Sequence, residues 1–281
     1  MATPRLDAEL LIAHALGLSR VDLYVQFERP VETGELGALR ELVRRRQNGE
    51  PVAYLVGHKE FWGIELAVDA RVLIPRPDTE AAVEEALARL DEVAPRDAPD
   101  AAPHRAVAPL PLPLRIADVG TGSGALAIVL ARARPDALVF ACDVSEDAAA
   151  VARANVLHHE AAVTVVVGDL AAPLAPHGPF AVVVANLPYV PTGDLAALPP
   201  DVRSEPRAAL DGGPDGLQVV RRLVAQAPAL LLRPGGALIL EVGHGQAAAV
   251  AAACTQVGLS DARVRRDLAG IERVVSARRT S

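Results

Sequence analysis

Apolar residues recur along this chain with two different periods, and the change between them falls near residue 114. Before it the spacing is helical. Leu6, Leu10, Leu11, Ala13 and Leu16 form one stripe, closed by Gly17, and Ser19 is placed to cap a second helix. Glu35 to Gln47 predicts a third helix, ending in Arg44-Arg45-Arg46, a basic run that suits the solvated C-terminus of a helix macrodipole. Five of the eight aromatic residues (Tyr24, Phe27, Tyr54, Phe61, Trp62) lie in the first 62 positions, which predicts a small helical bundle over 1–57 with its own core. Residues 58–74 alternate in strand fashion around Gly63 and predict a hairpin linker. Pro77-Asp78-Thr79 has the character of a helix start, with the helix running from Thr79 to Leu90. Residues 91–113 are rich in Pro, Ala and Asp without periodicity and predict a flexible surface loop.

From 114 onward, short apolar runs alternate with helical stretches. Strands are expected at 115–119, 138–142, 163–167, 180–185 and 236–242, with a final pair near 261–277. Helices fit at 123–133, 146–158, 215–232 and 245–257. Such βαβα alternation implies an α/β domain, assigned to 75–281, with a mostly parallel sheet covered by helices on both faces.

Composition narrows the function classes. The 281 residues are 51% hydrophobic, enough for a sizeable core, and the net charge is −7. A protein that coats nucleic acid needs a basic surface, so stable nucleic-acid binding is not expected. Cys142 and Cys254 are far apart, no Cys/His ligand spacing exists, and the adjacent His158 and His159 diverge at helical spacing, so no metal site is expected. Cys142 reads as a small core residue. No apolar run reaches about 18 residues and no leader pattern opens the chain, so a cytoplasmic protein without membrane association is expected, taken as a monomer.

The first α/β strand ends in Asp118-Val119-Gly120-Thr121-Gly122-Ser123-Gly124 and runs into a helix. Glycines permit a tight turn against which a ligand can lie, and the helix presents free N–H groups. Asp143 ends the second strand, about 20 residues on, where a carboxylate can take both hydroxyls of a ribose. With Ala125 as its last position the loop also satisfies G-x-G-x-x-G/A, so a dinucleotide and another adenosine-bearing ligand both stay open. Asp118 separates them: a carboxylate there would repel a pyrophosphate, whereas it can order the loop or face the cationic methionine end of S-adenosylmethionine. Asp169-Leu170, after the third strand, is placed to meet an adenine, although Asp169 is equally an ordinary loop acid.

The fourth strand, "FAVVVA", ends at Asn186-Leu187-Pro188-Tyr189. Ligands in open α/β sheets lie at the carboxyl ends of the strands, so this corner should share a crevice with the glycine loop. The Asn186 side-chain oxygen and the Leu187 carbonyl can accept the two hydrogens of a substrate NH2, aiming the nitrogen lone pair at a methyl group. Pro188 stiffens the turn and Tyr189 supplies a flat wall. An amide or exocyclic amine nitrogen is a poor nucleophile; gripping and aligning it can supply roughly 7–11 kcal/mol of the barrier.

With "PVAYLVGHKEFWGIELAVDARVLIPRPDTE" (51–80), "IADVGTGSGALAIVLA" (116–131), Asp143, the Asn186 corner, "DVRSEPRAALDGGPDGL" (201–217) and "RDLAGIERVV" (266–275), the chain resembles the peptide chain release factor glutamine N5-methyltransferases, the HemK family, over nearly its whole length. The resemblance implies a seven-stranded Rossmann-like class I methyltransferase domain preceded by a helical bundle and a β-hairpin linker. It implies S-adenosyl-L-methionine as cofactor and, as substrate, the glutamine of a Gly-Gly-Gln motif in class 1 release factors. Carried over, Asp118, residues 120–124, Asp143, Asp169, Leu170 and Asn186 would bind the cofactor. Residues 186–189 would hold and activate the glutamine amide; Arg76, Pro77 and Glu80 would lie near the same crevice, and the bundle would dock the release factor. The family usually reads Asn-Pro-Pro-Tyr, whereas Leu187 matches the Asn-Leu-Pro-Tyr of rRNA adenine dimethyltransferases. The contact expected there uses the main-chain carbonyl, so Leu187 is expected to supply that and little else. Leu170 replaces an aromatic residue that some relatives place against the adenine.

Three rivals remain. An adenine-N6 methyltransferase on RNA or DNA shares the corner but fits neither the charge of −7 nor the "LIPRPDTE" segment. An NAD-dependent oxidoreductase shares the glycine loop but lacks a catalytic acid or base. A non-catalytic binding module has no use for an intact Asn186–Tyr189 corner.

Overall fold

The computed structural model describes residues 4–94, 113–230 and 232–280. Helices α1 (Pro4–Leu16), α2 (Arg20–Val25), α3 (Thr33–Gln47) and α4 (Val52–Val56) precede a hairpin of β1 (His58–Phe61) and β2 (Ile64–Ala67). Ser19 caps α2 as expected: its Oγ accepts from Asp22 N at 3.1 Å, and its own N–H donates to Asp22 Oδ2 at 3.1 Å. The bundle has a core of its own, but an aliphatic one. Leu11, Leu42 and Leu55 are buried together with Ala15, Leu39, Val52 and Val56 around them. The aromatic residues go elsewhere. Phe61 joins the core of the α/β domain, Tyr54 packs toward Val68, Val72, Ala148 and Val151, and Tyr24 and Phe27 are exposed. Leu6, counted in the α1 stripe, is also exposed.

The basic run at the end of α3 divides. Arg44 and Arg45 pair with Glu41 and Glu50 at the surface. Arg46 is largely buried: it reaches Asp7 Oδ2 at 3.1 Å and Asp201 Oδ2 at 3.5 Å, tying α3 to α1 and to the short helix α8 (Pro200–Arg203), which lies within the α/β half described next.

The α/β elements are α5 (Glu80–Val93), β3 (Leu114–Val119), α6 (Ala125–Ala133), β4 (Ala137–Asp143), α7 (Glu146–His158), β5 (Val163–Val167), β6 (Phe180–Ala185), α9 (Gln218–Leu230), β7 (Leu232–Glu241), α10 (Ala247–Gln256), β8 (Leu259–Arg266) and β9 (Glu272–Arg279). They build a seven-stranded sheet in the order β5-β4-β3-β6-β7-β9-β8. The first five strands are parallel; β9 runs antiparallel to both β7 and β8. This is the class I methyltransferase fold. Side chains alternate across it. Ile116, Val182, Val184, Ile239 and Val274 meet α5 and α6 on one face. Ala117, Val119, Val183, Ala185, Leu238, Leu240 and Val275 meet α9 and α10 on the other. Strands buried on both faces must be apolar throughout, which is why they show as continuous runs in the sequence.

Boundaries shift where turns intervene. Helix α6 begins at Ala125, because Thr121–Gly124 form a turn with Gly124 N donating to Thr121 O. Strand β7 begins at Leu232, four residues before the expected start, and α5 continues to Val93, into the segment expected to be loop. The remainder of that expected loop, 95–112, lies outside the described residues.

Arg89 of α5 is fully buried. It bonds Glu85 Oε1 at 3.0 Å, Ser276 Oγ at 2.7 Å and Asp261 Oδ2 at 2.5 Å, joining α5 to β8 and β9. Removing one member of a buried ion pair costs ~3–5 kcal/mol. Because Glu85 keeps Arg265 and Ser276, Arg89→Ala should fall at the lower end of that range in denaturant unfolding.

Candidate active site

Strands β3 and β6 are neighbours, with Asp118 paired to Val184 and Val119 to Ala185, so the loop after one and the corner after the other emerge side by side. Between them lies a cavity of about 360 Å³. Of the residues expected at the site, Gly120, Thr121, Gly122, Ser123, Asp143, Asp169, Leu170, Asn186, Leu187 and Pro188 line it. Asp118, Gly124, Tyr189, Arg76, Pro77 and Glu80 are not in its wall.

The loop is held from behind. Gly120 N and Thr121 N both donate to Cys142 O at 2.9 Å. Asp118, 1% exposed, accepts from Thr121 Oγ1 at 2.6 Å and from Ala127 N at 3.1 Å, while its Oδ1 has no hydrogen-bond partner among the described residues. Asp118 therefore orders the loop. Asp143 accepts Gly122 N and Ser145 N, one on each oxygen, at 2.9 Å. Each carboxylate oxygen keeps a second acceptor site for a ribose hydroxyl. Nothing lies within 4 Å of where a Cβ on Gly122 would stand, so the loop offers open space there. Val144 and Leu170 give the adjoining wall an apolar surface. The donor set suits a nucleoside: a carboxylate for the sugar, an apolar slot for a base.

Leu187 does more than supply a carbonyl. It is buried, and its Cδ2 would stand 2.9 Å from a Cβ on Gly120, which holds φ +76. Glycine is favoured at 120 by the backbone angle, and a Cβ there would push the leucine tip aside. Burying a leucine side chain is worth about 1.5–3 kcal/mol relative to leaving it exposed, so Leu187 helps to seat the corner against the glycine loop. Residues 210–216 cradle the same corner. Val190 N donates to Leu210 O and Gly212 N to Val190 O, and a Cβ on Gly216 would meet Tyr189 O at 2.3 Å.

Tyr189 is outside the cavity wall. Its hydroxyl donates to Glu241 Oε1 at 3.4 Å, and burial pushes that hydroxyl up to about 12. Arg76 pairs with Glu205, whose other oxygen accepts Ile74 N at 2.9 Å, so the connector is pinned to the 201–217 segment. Pro75 and Thr79, rather than Arg76, Pro77 and Glu80, enter the wall, together with Arg71, Val72 and Leu73. Thr79 Oγ1 accepts Asn186 Nδ2 at 3.1 Å.

A family model described as "PrmC N-terminal domain" matches residues 1–57, and one described as "Methyltransferase domain" matches 116–203. A release factor glutamine methyltransferase of Geobacter sulfurreducens is 45% identical, covering 98% of this chain and 89% of that protein. One of Moorella thermoacetica is 43% identical over 98% and 92%. The chain belongs to the release factor glutamine methyltransferase family. A solved methyltransferase from Pyrococcus furiosus, 16% identical, shares the fold with a TM-score of 0.53 over 86% of this chain and 99% of that one.

Three features of this methyltransferase escaped the sequence reading. Asn155, buried in α7, donates to Ser123 O at 2.8 Å and exchanges bonds with the Ala67 main chain, so the hairpin braces the glycine loop. Arg222 of α9 pairs with Asp169 at the cavity edge. The rings of His158 and His159 do not diverge: they meet edge to face at 4.9 Å, because His159 caps α7 and binds Glu65 O at 2.7 Å. No metal-binding cluster occurs among the described residues. Cys142 is the core residue expected, its thiol pushed up to about 12 by burial.

Burial also pushes Asp118 up to about 7, against the pull of its Thr121 and Ala127 bonds, and Glu241 up to about 7. A carboxyl raised on folding binds more protons in the native state, so it subtracts stability as pH rises from its ordinary value of about 4 through 7. Asp118→Asn keeps the two accepted bonds without the charge. Chemical denaturation of the ligand-free protein should show a shallower loss of stability across that window in the variant; equal slopes would place the titration elsewhere.

Proposed function

We propose that this methyltransferase transfers a methyl group to the side-chain amide nitrogen, N5, of the glutamine in the Gly-Gly-Gln motif of class 1 release factors. S-adenosyl-L-methionine is the methyl donor; bound, it supplies an electrophilic methyl carbon. The carrying observation is that Asn186 turns its NH2 toward Thr79 at 3.1 Å, which leaves its oxygen for a substrate donor at the cavity that the glycine loop and Asp143 also line. Asn186 Oδ1 and the Leu187 carbonyl take the two amide hydrogens and direct the nitrogen lone pair. Alignment, not a strong base, lowers the barrier, and the proton leaves after attack. Asp143, Leu170 and the glycine loop hold the nucleoside. Residues 1–57 act as the docking bundle, 58–74 as linker and 75–281 as catalytic domain.

A monomer working in the cytoplasm without stable nucleic-acid binding completes the reading. The acidic net charge supports it, and no described helix is long and apolar enough to cross a membrane. Adenine methylation on RNA is the competing outcome. Labelled S-adenosylmethionine with purified release factor, and separately with total RNA, should place label in the Gly-Gly-Gln peptide; label confined to RNA would reverse the assignment. Asn186→Ala should lower turnover by roughly 100-fold or more while cofactor affinity changes little.

The bundle carries Val21, Val25 and Phe27 at 70%, 72% and 77% exposure, beside the exposed Tyr24. Such a patch on a small helical unit suits contact with the body of a release factor. Phe27→Ser should raise KM for intact release factor by roughly tenfold and leave KM for a short Gly-Gly-Gln peptide unchanged. Equal effects on both substrates would assign the patch another role.

A further inference from the structure

A primary amide is almost symmetric in shape, so packing alone does not decide which end of Asn186 faces the cavity. Hydrogen bonding decides it, and the groups that do so come from three separate places in the chain. Thr79, 4% exposed, ends the turn before α5 and accepts Asn186 Nδ2. Glu241, 1% exposed, ends β7; its Oε1 accepts from Tyr189 at 3.4 Å, its Oε2 has no hydrogen-bond partner among the described residues, and the Thr79 hydroxyl lies near enough to favour its ionised form. Arg273 of β9 and Asp78 of the same turn as Thr79 are the charged groups that face Glu241.

A threonine hydroxyl has one proton and can donate it once, while a carboxylate only accepts. When Glu241 is ionised it takes the Thr79 proton, which leaves Thr79 Oγ1 able only to accept from Asn186. The NH2 end of Asn186 is then bound inward and its oxygen outward. Without the acceptor at Glu241, Thr79 could donate to Asn186 Oδ1 instead, and the amide would turn its NH2 toward the substrate NH2, donor against donor. The geometry points to Thr79 and Glu241 as positioning residues, a two-step relay that fixes the direction of the Asn186 amide. This rests on the reading that Asn186 accepts from the substrate nitrogen, and neither residue needs to touch the reacting atoms.

The relay predicts a split in kinetics on intact release factor. Thr79→Val keeps the shape and removes the hydroxyl; kcat should fall roughly 10- to 100-fold, with the dissociation constant of S-adenosylhomocysteine nearly unchanged. Thr79→Ser should return kcat to within a few-fold of wild type. A Thr79→Val enzyme with wild-type kcat, or a serine variant that restores nothing, overturns the relay. If Thr79→Val fails to bind S-adenosylhomocysteine, Glu241→Gln decides. Glutamine presents an NH2 where the carboxylate offered only acceptors. Because Glu241 is pushed up to about 7, wild-type kcat at saturating cofactor should drop as pH falls below that value. The variant should have a lower kcat and no such limb. An unchanged limb in Glu241→Gln made together with Asp118→Asn, or full activity in Glu241→Gln, overturns the relay, Asp118 being the other carboxyl raised to about 7. Asn186→Ala keeps the two readings distinguishable: if that variant is fully active, the amide grip itself fails. If it is inactive while Thr79→Val is fully active, only the relay fails.

Discussion

Everything at this site depends on one pairing, β3 beside β6 in parallel register. Parallel neighbours release their chains at the same edge of the sheet, so a glycine loop and an Asn-Leu-Pro-Tyr corner far apart in sequence become two walls of one cavity. Leu187 against Gly120 turns that adjacency into contact. The Leu187 side chain packs between the two halves of the site, against the glycine opposite.

Around this contact the structure has built three supports that differ in kind. Behind the glycine loop are main-chain bonds to Cys142 and the buried Asp118. Beside it is Asn155, which anchors the hairpin as well. Under the corner are residues 210–216, close enough to Tyr189 that a side chain at 216 would collide with its carbonyl. Reactive alignment tolerates little play, and here each wall is fixed by bonds that run to a different part of the chain.

The centre of the sheet was legible because its strands are buried on both faces and therefore spell continuous apolar runs. The glycine loop, Asp143 and the Asn186 corner were legible because each is a local sentence. What stayed hidden is nonlocal. Thr79 lay within a segment already singled out, yet nothing nearby in sequence pairs it with Asn186. Glu241 had a signal that went unread, a lone acid closing the run "ALILE" at the carboxyl end of a central strand. Arg76, Pro77 and Glu80 flank the wall rather than form it, since Arg76 is spent on Glu205. The aromatic residues misled about the bundle because clustering in sequence is not clustering in space.

The bundle's core is three leucines and a few flanking aliphatics, a small apolar volume for a unit of that length. It leans on the catalytic half through Arg46 and Asp201, and through Ser204, whose hydroxyl donates to Gly49 O at 3.3 Å. Those same residues border the segment that closes the cavity. The front of this protein thus also serves as a buttress: exchanging it for a foreign helical unit would take both bonds away from the stretch that leads into the cavity wall.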